Sequence, residues 1–205
     1  PNNPTGTLTD AAKLEAFMDQ LPDNVWVIVD EAYAQFADHL SLANFLRYIG
    51  NKRVMVIRTF SKFYGLAGAR LGYVLGDPEA IQAYDTVTEP FNTNRTAIAG
   101  ASAALQFDQT ESNKARKKIL GDREGLVESL GLLGFKVAPS QANFVFAQLP
   151  DGAPDAISVV NALMKNGVIV RDCTPWGYPH HIRVTVGTHA ELEFFLSKLT
   201  EVLTN

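Results

Sequence analysis

Lysine, arginine and carboxylate side chains at the ends of apolar runs are the groups in this chain that could do chemistry. In "VIRTFSKFYGLAGARLGYV" (56–74), Lys62 follows a run of strand-forming residues, and Arg70 comes after a glycine-broken turn. A lysine amine is a poor nucleophile while protonated and hydrated. Beside another cation or in a dry site its pKa falls and it can form a Schiff base. Arg70 could lower that pKa or clamp a phosphate, and Ser61 adds a hydroxyl next to the amine. A nucleotide phosphate would be the other use of such a pair, but no Walker-type glycine loop precedes Lys62. A second strand-like run, "VWVIV", ends in Asp30-Glu31. In open α/β sheets functional groups gather at the carboxyl ends of strands, so a carboxylate and an amine are expected to share one edge.

The elements that must position these groups follow from periodicity and caps. Residues 9–20 read as a short helix with Thr9 as N-cap. "VWVIVD" (25–30) is nearly continuous in apolar residues, the pattern of a strand covered on both faces. "RVMVIRT" (53–59) and "LGYVLG" (71–76) are two further strands, and Asp77-Pro78 opens a helix. From about residue 107 the character changes. A long helix over about 112–132 leads to "GFKV", "NFVFAQL", a helix near 154–165, "GVIV" and "IRVTVG". Thr188-His189-Ala190-Glu191 is a capping box for a last helix with Leu192, Phe195, Leu196 and Leu199 on its apolar stripe. The expected fold class is α/β, with an α/β part over residues 1–107 and a smaller α+β domain with its connecting helix over 108–205.

Composition narrows the function. The chain has 205 residues, 46% of them apolar, enough for one or two cored domains. A net charge of −4 with mixed signs argues against nucleic acid or an anionic membrane as the main partner. The basic run Lys114-Ala115-Arg116-Lys117-Lys118 leads into Ile119, Leu120, Leu126, Leu130 and Leu133 at roughly helical spacing, and reads as a solvated helix face. The single cysteine, Cys173, excludes an intramolecular disulfide framework and fits a reducing compartment. No apolar run approaches the ~18 residues of a membrane-spanning helix. His39, His180-His181 and His189 lack a metal-ligand spacing, and Asp30-Glu31 lacks further ligands, so no metal site is expected.

"NNPTG", "DEAY", "SKFYGLAGARLGY" and "IRVTVG", in this order, resemble the fold-type I pyridoxal-phosphate aminotransferases. Within them "DEAYAQF", "EPFNTN", "ANFVF" and "GVIVRD…HIRVTVGT" look most like the histidinol-phosphate subgroup. The likeness covers the whole chain but only the C-terminal portion of the family. It implies part of the large cofactor-binding α/β/α domain, with a mostly parallel sheet, followed by the small domain. It also implies roles. Lys62 would hold pyridoxal 5'-phosphate as a Schiff base and move the proton between the substrate Cα and the cofactor C4′. Asp30 would pair with the pyridine nitrogen, and Tyr33 and Asn3 with the phenolate oxygen. Ser61 and Arg70 would bind the phosphate. Arg183 would grip a carboxylate and Arg171 the distal phosphate of the substrate, with Asn143 lining the pocket. Histidinol phosphate has no α-carboxylate and glutamate has two carboxylates, so the two arginines would serve both substrates in turn. "EPFNTN" (89–94) resembles a loop that reaches toward the subunit interface.

The implied reaction is transamination between histidinol phosphate and 2-oxoglutarate, giving imidazole acetol phosphate and glutamate in histidine biosynthesis. The implied state is a cytoplasmic homodimer. Variants on the same scaffold are an aromatic amino-acid transaminase and a decarboxylase of a phosphorylated amino acid. The family's glycine-rich phosphate cradle and ring-stacking aromatic lie upstream of "NNPTG". As it stands, the chain therefore reads as a fragment with an exposed sheet edge and little activity, or as a non-catalytic piece that folds without cofactor.

Overall fold

The computed structural model describes residues 1–50, 53–107 and 109–204. They form two compact units, Thr9–Lys114 on one hand and Pro1–Leu8 with Ala115–Asn205 on the other. This division differs from the 107/108 boundary read from the sequence. It falls inside helix α4 (Gln109–Leu132), and the first eight residues group with the C-terminal unit.

In the Thr9–Lys114 unit, helix α1 (Ala11–Gln20) is capped by Asp10 rather than Thr9, its carboxylate accepting from the Lys13 amide at 3.0 Å. A carboxylate at that position satisfies an orphan amide and complements the helix dipole. Strands β1 (Val27–Asp30), β2 (Val54–Thr59) and β3 (Gly72–Gly76) form one sheet in that order. β1 and β2 pair in parallel and β2 and β3 antiparallel. A mostly parallel sheet was the expectation for the whole large domain, and these three strands carry one pairing of each kind. β1 alternates instead of being covered on both faces, with Ile28 61% exposed and Val27 and Val29 turned inward. Helix α2 (Pro78–Val87) starts at Asp77 with proline in its first turn, as expected, although the Asp77 side chain makes no capping bond. Helix α3 (Arg95–Phe107) completes the unit. Met18, Phe45, Tyr48, Val54 and Val56 form its core, with Leu14, Val27, Val29 and Leu75 packed around them.

The other unit is built on an antiparallel sheet ordered β4 (Lys136–Val137), β5 (Phe144–Gln148), β7 (His181–Thr185) and β6 (Arg171–Asp172). The sequence "GVIV" precedes β6 and does not form the expected strand. Val168 is buried in the core instead, while the pairing with β7 is made by Arg171 and Asp172. Helix α5 (Ala156–Lys165) is capped by Asp155, and helix α6 (His189–Thr204) begins at the expected capping box. Glu191 accepts from the Thr188 amide at 2.7 Å and the Thr188 hydroxyl accepts from the Glu191 amide at 3.4 Å. α5 packs on α6, and Leu130, Leu163, Ile182 and Leu199 are fully buried between sheet and helices. Each such side chain contributes about 1.5–3 kcal/mol through burial.

One titratable group is set into this packing. His181 stacks on Phe146 (ring centroids 4.6 Å apart, planes at 15°) with the Tyr178 ring at its edge, and its Nδ1 is buried without a partner. Burial, helped by the neighbouring His180, lowers its pKa below 6.5. The unfolded chain therefore binds this proton more readily than the fold does. The contribution of neutral His181 is complete above the unfolded value and is lost as pH falls through it toward the lower folded value. Acidification from about pH 7.5 to about 5.5 is expected to lower the urea midpoint of the protein. His181→Phe, which keeps the stacked ring, should show a smaller drop; an identical drop in both would count against a buried neutral imidazole.

Candidate active site

The parallel pairing of β1 with β2 brings the carboxyl ends of both strands to one edge, as the sequence predicted. Asp30 ends β1 opposite Ile57, and its Oδ1 accepts from the Ala32 amide at 2.9 Å. The chain then turns through Tyr33, which is buried. From β2 the chain enters a loop that opens at Thr59 and closes at Gly72, and these two residues are directly paired across the β2–β3 ladder. Ser61, Lys62 and Arg70 all lie within this one loop.

Local bonds give the loop its shape. The Thr59 hydroxyl accepts from the Ser61 amide at 3.0 Å, Phe60 donates its amide to Leu71, and Leu66 donates back to Phe60. The Gly65 amide bonds to the Lys62 carbonyl with Gly65 at φ +67°, a tight turn that suits glycine. Phe60, Phe63 and Tyr64 pack ring against ring, and Phe63 meets Phe36 edge-on. The Lys62 ammonium lies over the Tyr33 ring, 5.4 Å from its centroid. The structure thus brings Lys62 and Tyr33 together. Arg70 adopts a left-handed conformation (φ 55°) and donates to the Ala67 carbonyl at 2.9 Å. A non-glycine residue held there stores about 1–3 kcal/mol of strain, typical of functional positions.

Glu31 has a role that sequence reasoning left undefined. It accepts from Arg58 Nε at 2.8 Å, a half-buried pair joining the ends of β1 and β2. Burial opposes the charge of Arg58, but its bonds to Glu31 and Tyr73 outweigh that and raise its pKa. Among the described residues no cluster of three or more histidine, cysteine, aspartate or glutamate side chains could hold a metal ion.

The other unit holds the remaining candidates. Arg171 and Arg183 are directly opposed on β6 and β7. Arg183 Nη1 donates to Asn3 Oδ1, which leaves Nδ2 of Asn3 to donate elsewhere. The turn carrying Asn3 is tied into the same unit. The Gln141 amide bonds to Gly6 O at 2.7 Å, and a Cβ on Gly6 would sit 2.2 Å from the Ser140 hydroxyl. The Arg183 guanidinium packs on the Phe144 ring and its Nε is buried without a partner. Neither arginine forms an ion pair with a carboxylate among the described residues. Asn143 lies just before β5, its carbonyl accepting from Val186, with no described side-chain bond to either arginine. Trp176, absent from the sequence-based candidates, lies against both guanidiniums. Cys173 is fully buried and burial pushes its pKa up to about 11, so it is an unreactive core thiol.

The profile of the family described as aminotransferase class I and II matches residues 1–199. The chain belongs to this family. It is 40% identical over 205 residues to the histidinol-phosphate aminotransferase of Moorella thermoacetica, covering 99% of this chain and 52% of that protein. Against the enzyme of the same name from Anaeromyxobacter sp. the identity is 41% over 204 residues, covering 99% and 55%. The chain thus spans about half the length of the curated relatives it matches. The crystal structure of histidinol-phosphate aminotransferase from Sinorhizobium meliloti in complex with pyridoxal-5'-phosphate superposes with a TM-score of 0.90 at 33% identity. That superposition covers 100% of this chain and 55% of the other. The architecture is accordingly that of the fold-type I aminotransferases. No helix among the described residues is long and apolar enough to cross a membrane.

Gly72 sets the closure of the lysine loop, because a Cβ there would lie 2.7 Å from the Arg58 carbonyl oxygen. Gly72→Ala must separate two backbones and is expected to lower stability by about 1–3 kcal/mol in chemical denaturation. Gly68→Ala, in the same loop but with nothing within 4 Å, is the control and should change it little.

Proposed function

We propose that this chain works within a pyridoxal-phosphate-dependent aminotransferase that exchanges an amino group between histidinol phosphate and 2-oxoglutarate. The observation that carries the reading is the loop Thr59–Gly72, which holds an amine, a hydroxyl and a guanidinium on the edge where Asp30 ends its strand. The donor set fits the cofactor. The Lys62 amine makes no described hydrogen bond or ion pair and suits an aldehyde carbon. Ser61 and Arg70 suit a phosphate, and the Asp30 carboxylate suits a protonated ring nitrogen.

When bound, pyridoxal phosphate supplies an electron sink for the carbanion left when the substrate Cα loses its proton. Lys62 would be the base that takes this proton from Cα and returns it at the cofactor C4′. Asp30 would pair with the pyridine nitrogen and keep it protonated, and a neutral side chain there would forfeit most of the sink. Tyr33, whose ring lies under the Lys62 ammonium, would donate its hydroxyl to the phenolate oxygen of the bound cofactor. Asn3 keeps its amide donor for an oxygen of the same kind. Arg70 and Ser61 bind the phosphate.

Arg171 and Arg183 bind the substrate's anionic groups, a phosphate in one half-reaction and carboxylates in the other. The lack of a carboxylate partner for either among the described residues and the buried, unpartnered Arg183 Nε support that role. The relatives named histidinol-phosphate aminotransferase support the substrate. A homodimer is supported by the exposed apolar side chains Val87, Phe91 and Phe107, and a cytoplasmic setting by the single, buried cysteine.

The test is glutamate formation from histidinol phosphate and 2-oxoglutarate by the intact protein that carries this chain. Lys62→Ala should remove at least about 10²–10⁴-fold of the rate, the range of proton transfer alone. Borohydride reduction followed by peptide mass spectrometry should find the cofactor on Lys62. Full turnover in the Lys62→Ala protein would sink the assignment, and preference for tyrosine or phenylalanine as donor would move it to aromatic transamination.

A further inference from the structure

Arg171 and Arg183 face each other across the β6–β7 ladder, where like charges repel. A carboxylate would be the ordinary remedy, and Asp172 lies next in sequence. Its Oδ1 is instead committed to the backbone amide of Thr174 at 2.9 Å and the Thr174 hydroxyl at 2.7 Å. Those two bonds fix a single 3-10 turn, Thr174–Trp176, with proline in its first positions and Gly177 closing it at φ +85°. The Trp176 amide returns to the buried Cys173 carbonyl at 3.0 Å. The turn sets where the Trp176 side chain leaves the backbone, and the indole stays partly exposed. It lies 5.1 Å from the Arg171 guanidinium carbon and 5.5 Å from that of Arg183. Phe144 supports Arg183 as well, at 4.9 Å.

We infer that Trp176 is a positioning and specificity-determining residue, whose indole keeps the Arg171 and Arg183 guanidiniums side by side so that together they take an oxyanion group of two negative charges. An aromatic face attracts cations without neutralising them, so the pair stays available to a ligand where a carboxylate would have consumed it. Two guanidinium forks on directly opposed residues favour a phosphate monoester, or a dicarboxylate spanning both, over a single carboxylate. This inference rests on the anion-binding role proposed above for the two arginines, and Trp176 acts only through them.

The experiment uses the intact protein with Trp176→Leu and Trp176→Phe. Loss of the indole is expected to raise KM for the phosphorylated amine and for 2-oxoglutarate roughly tenfold, with kcat little changed, since a partly desolvated cation–π contact is of that order. Trp176→Phe should recover most of the loss. Fluorescence supplies a readout that needs no turnover. In a background where Trp26 and every indole outside this chain are replaced by Phe, so that Trp176 alone reports, inorganic phosphate and glutarate should each give a saturable change, absent in Arg171→Met. A monocarboxylate such as acetate should give a much weaker response. Unchanged KM in Trp176→Leu, or an equal fall in kcat that Trp176→Phe does not restore, overturns the inference. Should Trp176→Leu fail to fold, the fluorescence titration decides alone, and no response to either dianion counts against it. Loss of transamination with the phosphate response intact would instead remove the reaction and leave the arginine pair standing.

Discussion

The close approach of β3 to β2 at Gly72 is the constraint from which the lysine loop takes its form. A side chain at this position would run into the Arg58 carbonyl, so the ladder can close only where Cβ is missing. Closure at Thr59 and Gly72 then dictates the path between them. The strand must be left through a turn that the Thr59 hydroxyl stabilises, and re-entered through a residue forced to positive φ. Asparagine or glycine would occupy that last position at lower cost. An arginine occupies it, accepting about 1–3 kcal/mol of strain, and its guanidinium donates to a carbonyl of the same loop. The fold therefore spends stability to keep a cation at one end of the loop whose other end carries Lys62.

In the other unit the governing quantity is electrostatic. Guanidiniums borne on directly opposed residues repel, by about 1–4 kcal/mol between the dielectric of water and that of a protein surface. Three ring contacts, on Trp176 twice and Phe144 once, return about 0.5–1 kcal/mol each. The two sums are comparable, and the bond to Asn3 adds to the favourable side. The pair is thus tolerated without being quenched. It can be occupied by an anion at little cost, whereas an arginine already paired with a carboxylate would first have to give that partner up.

Features governed by neighbours in sequence were legible before the structure. The three strands of the first sheet, the Asp77-Pro78 helix start and the Thr188–Glu191 capping box depend on period and on groups within one turn of each other, so the pattern carries the answer. The cap of α1 shifted by one residue because the carboxylate of Asp10 outcompetes the hydroxyl of Thr9 beside it. "GVIV" misled because an apolar run only reports burial: Val168 goes into the core, and it is the register with β7 that decides where β6 begins. The grouping of Pro1–Leu8 with the C-terminal unit rests on Gly6 meeting Ser140 and Gln141, a relation no local pattern carries. Lys62, Asp30 and Tyr33 stood out because strand ends are where chemistry collects and because their motifs are contiguous. Trp176 did not, since its partners, Arg171 and Arg183, become neighbours of the indole only once the Asp172-capped turn and the β6–β7 pairing are both in place.

The fate of each cation's charge separates structural from functional residues across the chain. Arg58 is closed off by Glu31 and Tyr73 and ties strand ends together. Arg123, its pKa lowered chiefly by burial, holds the Ala142 carbonyl and so fixes the loop that leads to Asn143 and Phe144. Arg47 with Glu15, Lys114 with Glu111 and Lys198 with Glu201 are exposed pairs of small energetic worth. Lys62, Arg70, Arg171 and Arg183 differ from all of these. Each is steered by rings, carbonyls or an amide oxygen, and none is neutralised by a described carboxylate. Groups that orient a charge without cancelling it leave its field directed at whatever binds, and that is the electrostatic condition a site for phosphates and carboxylates must meet.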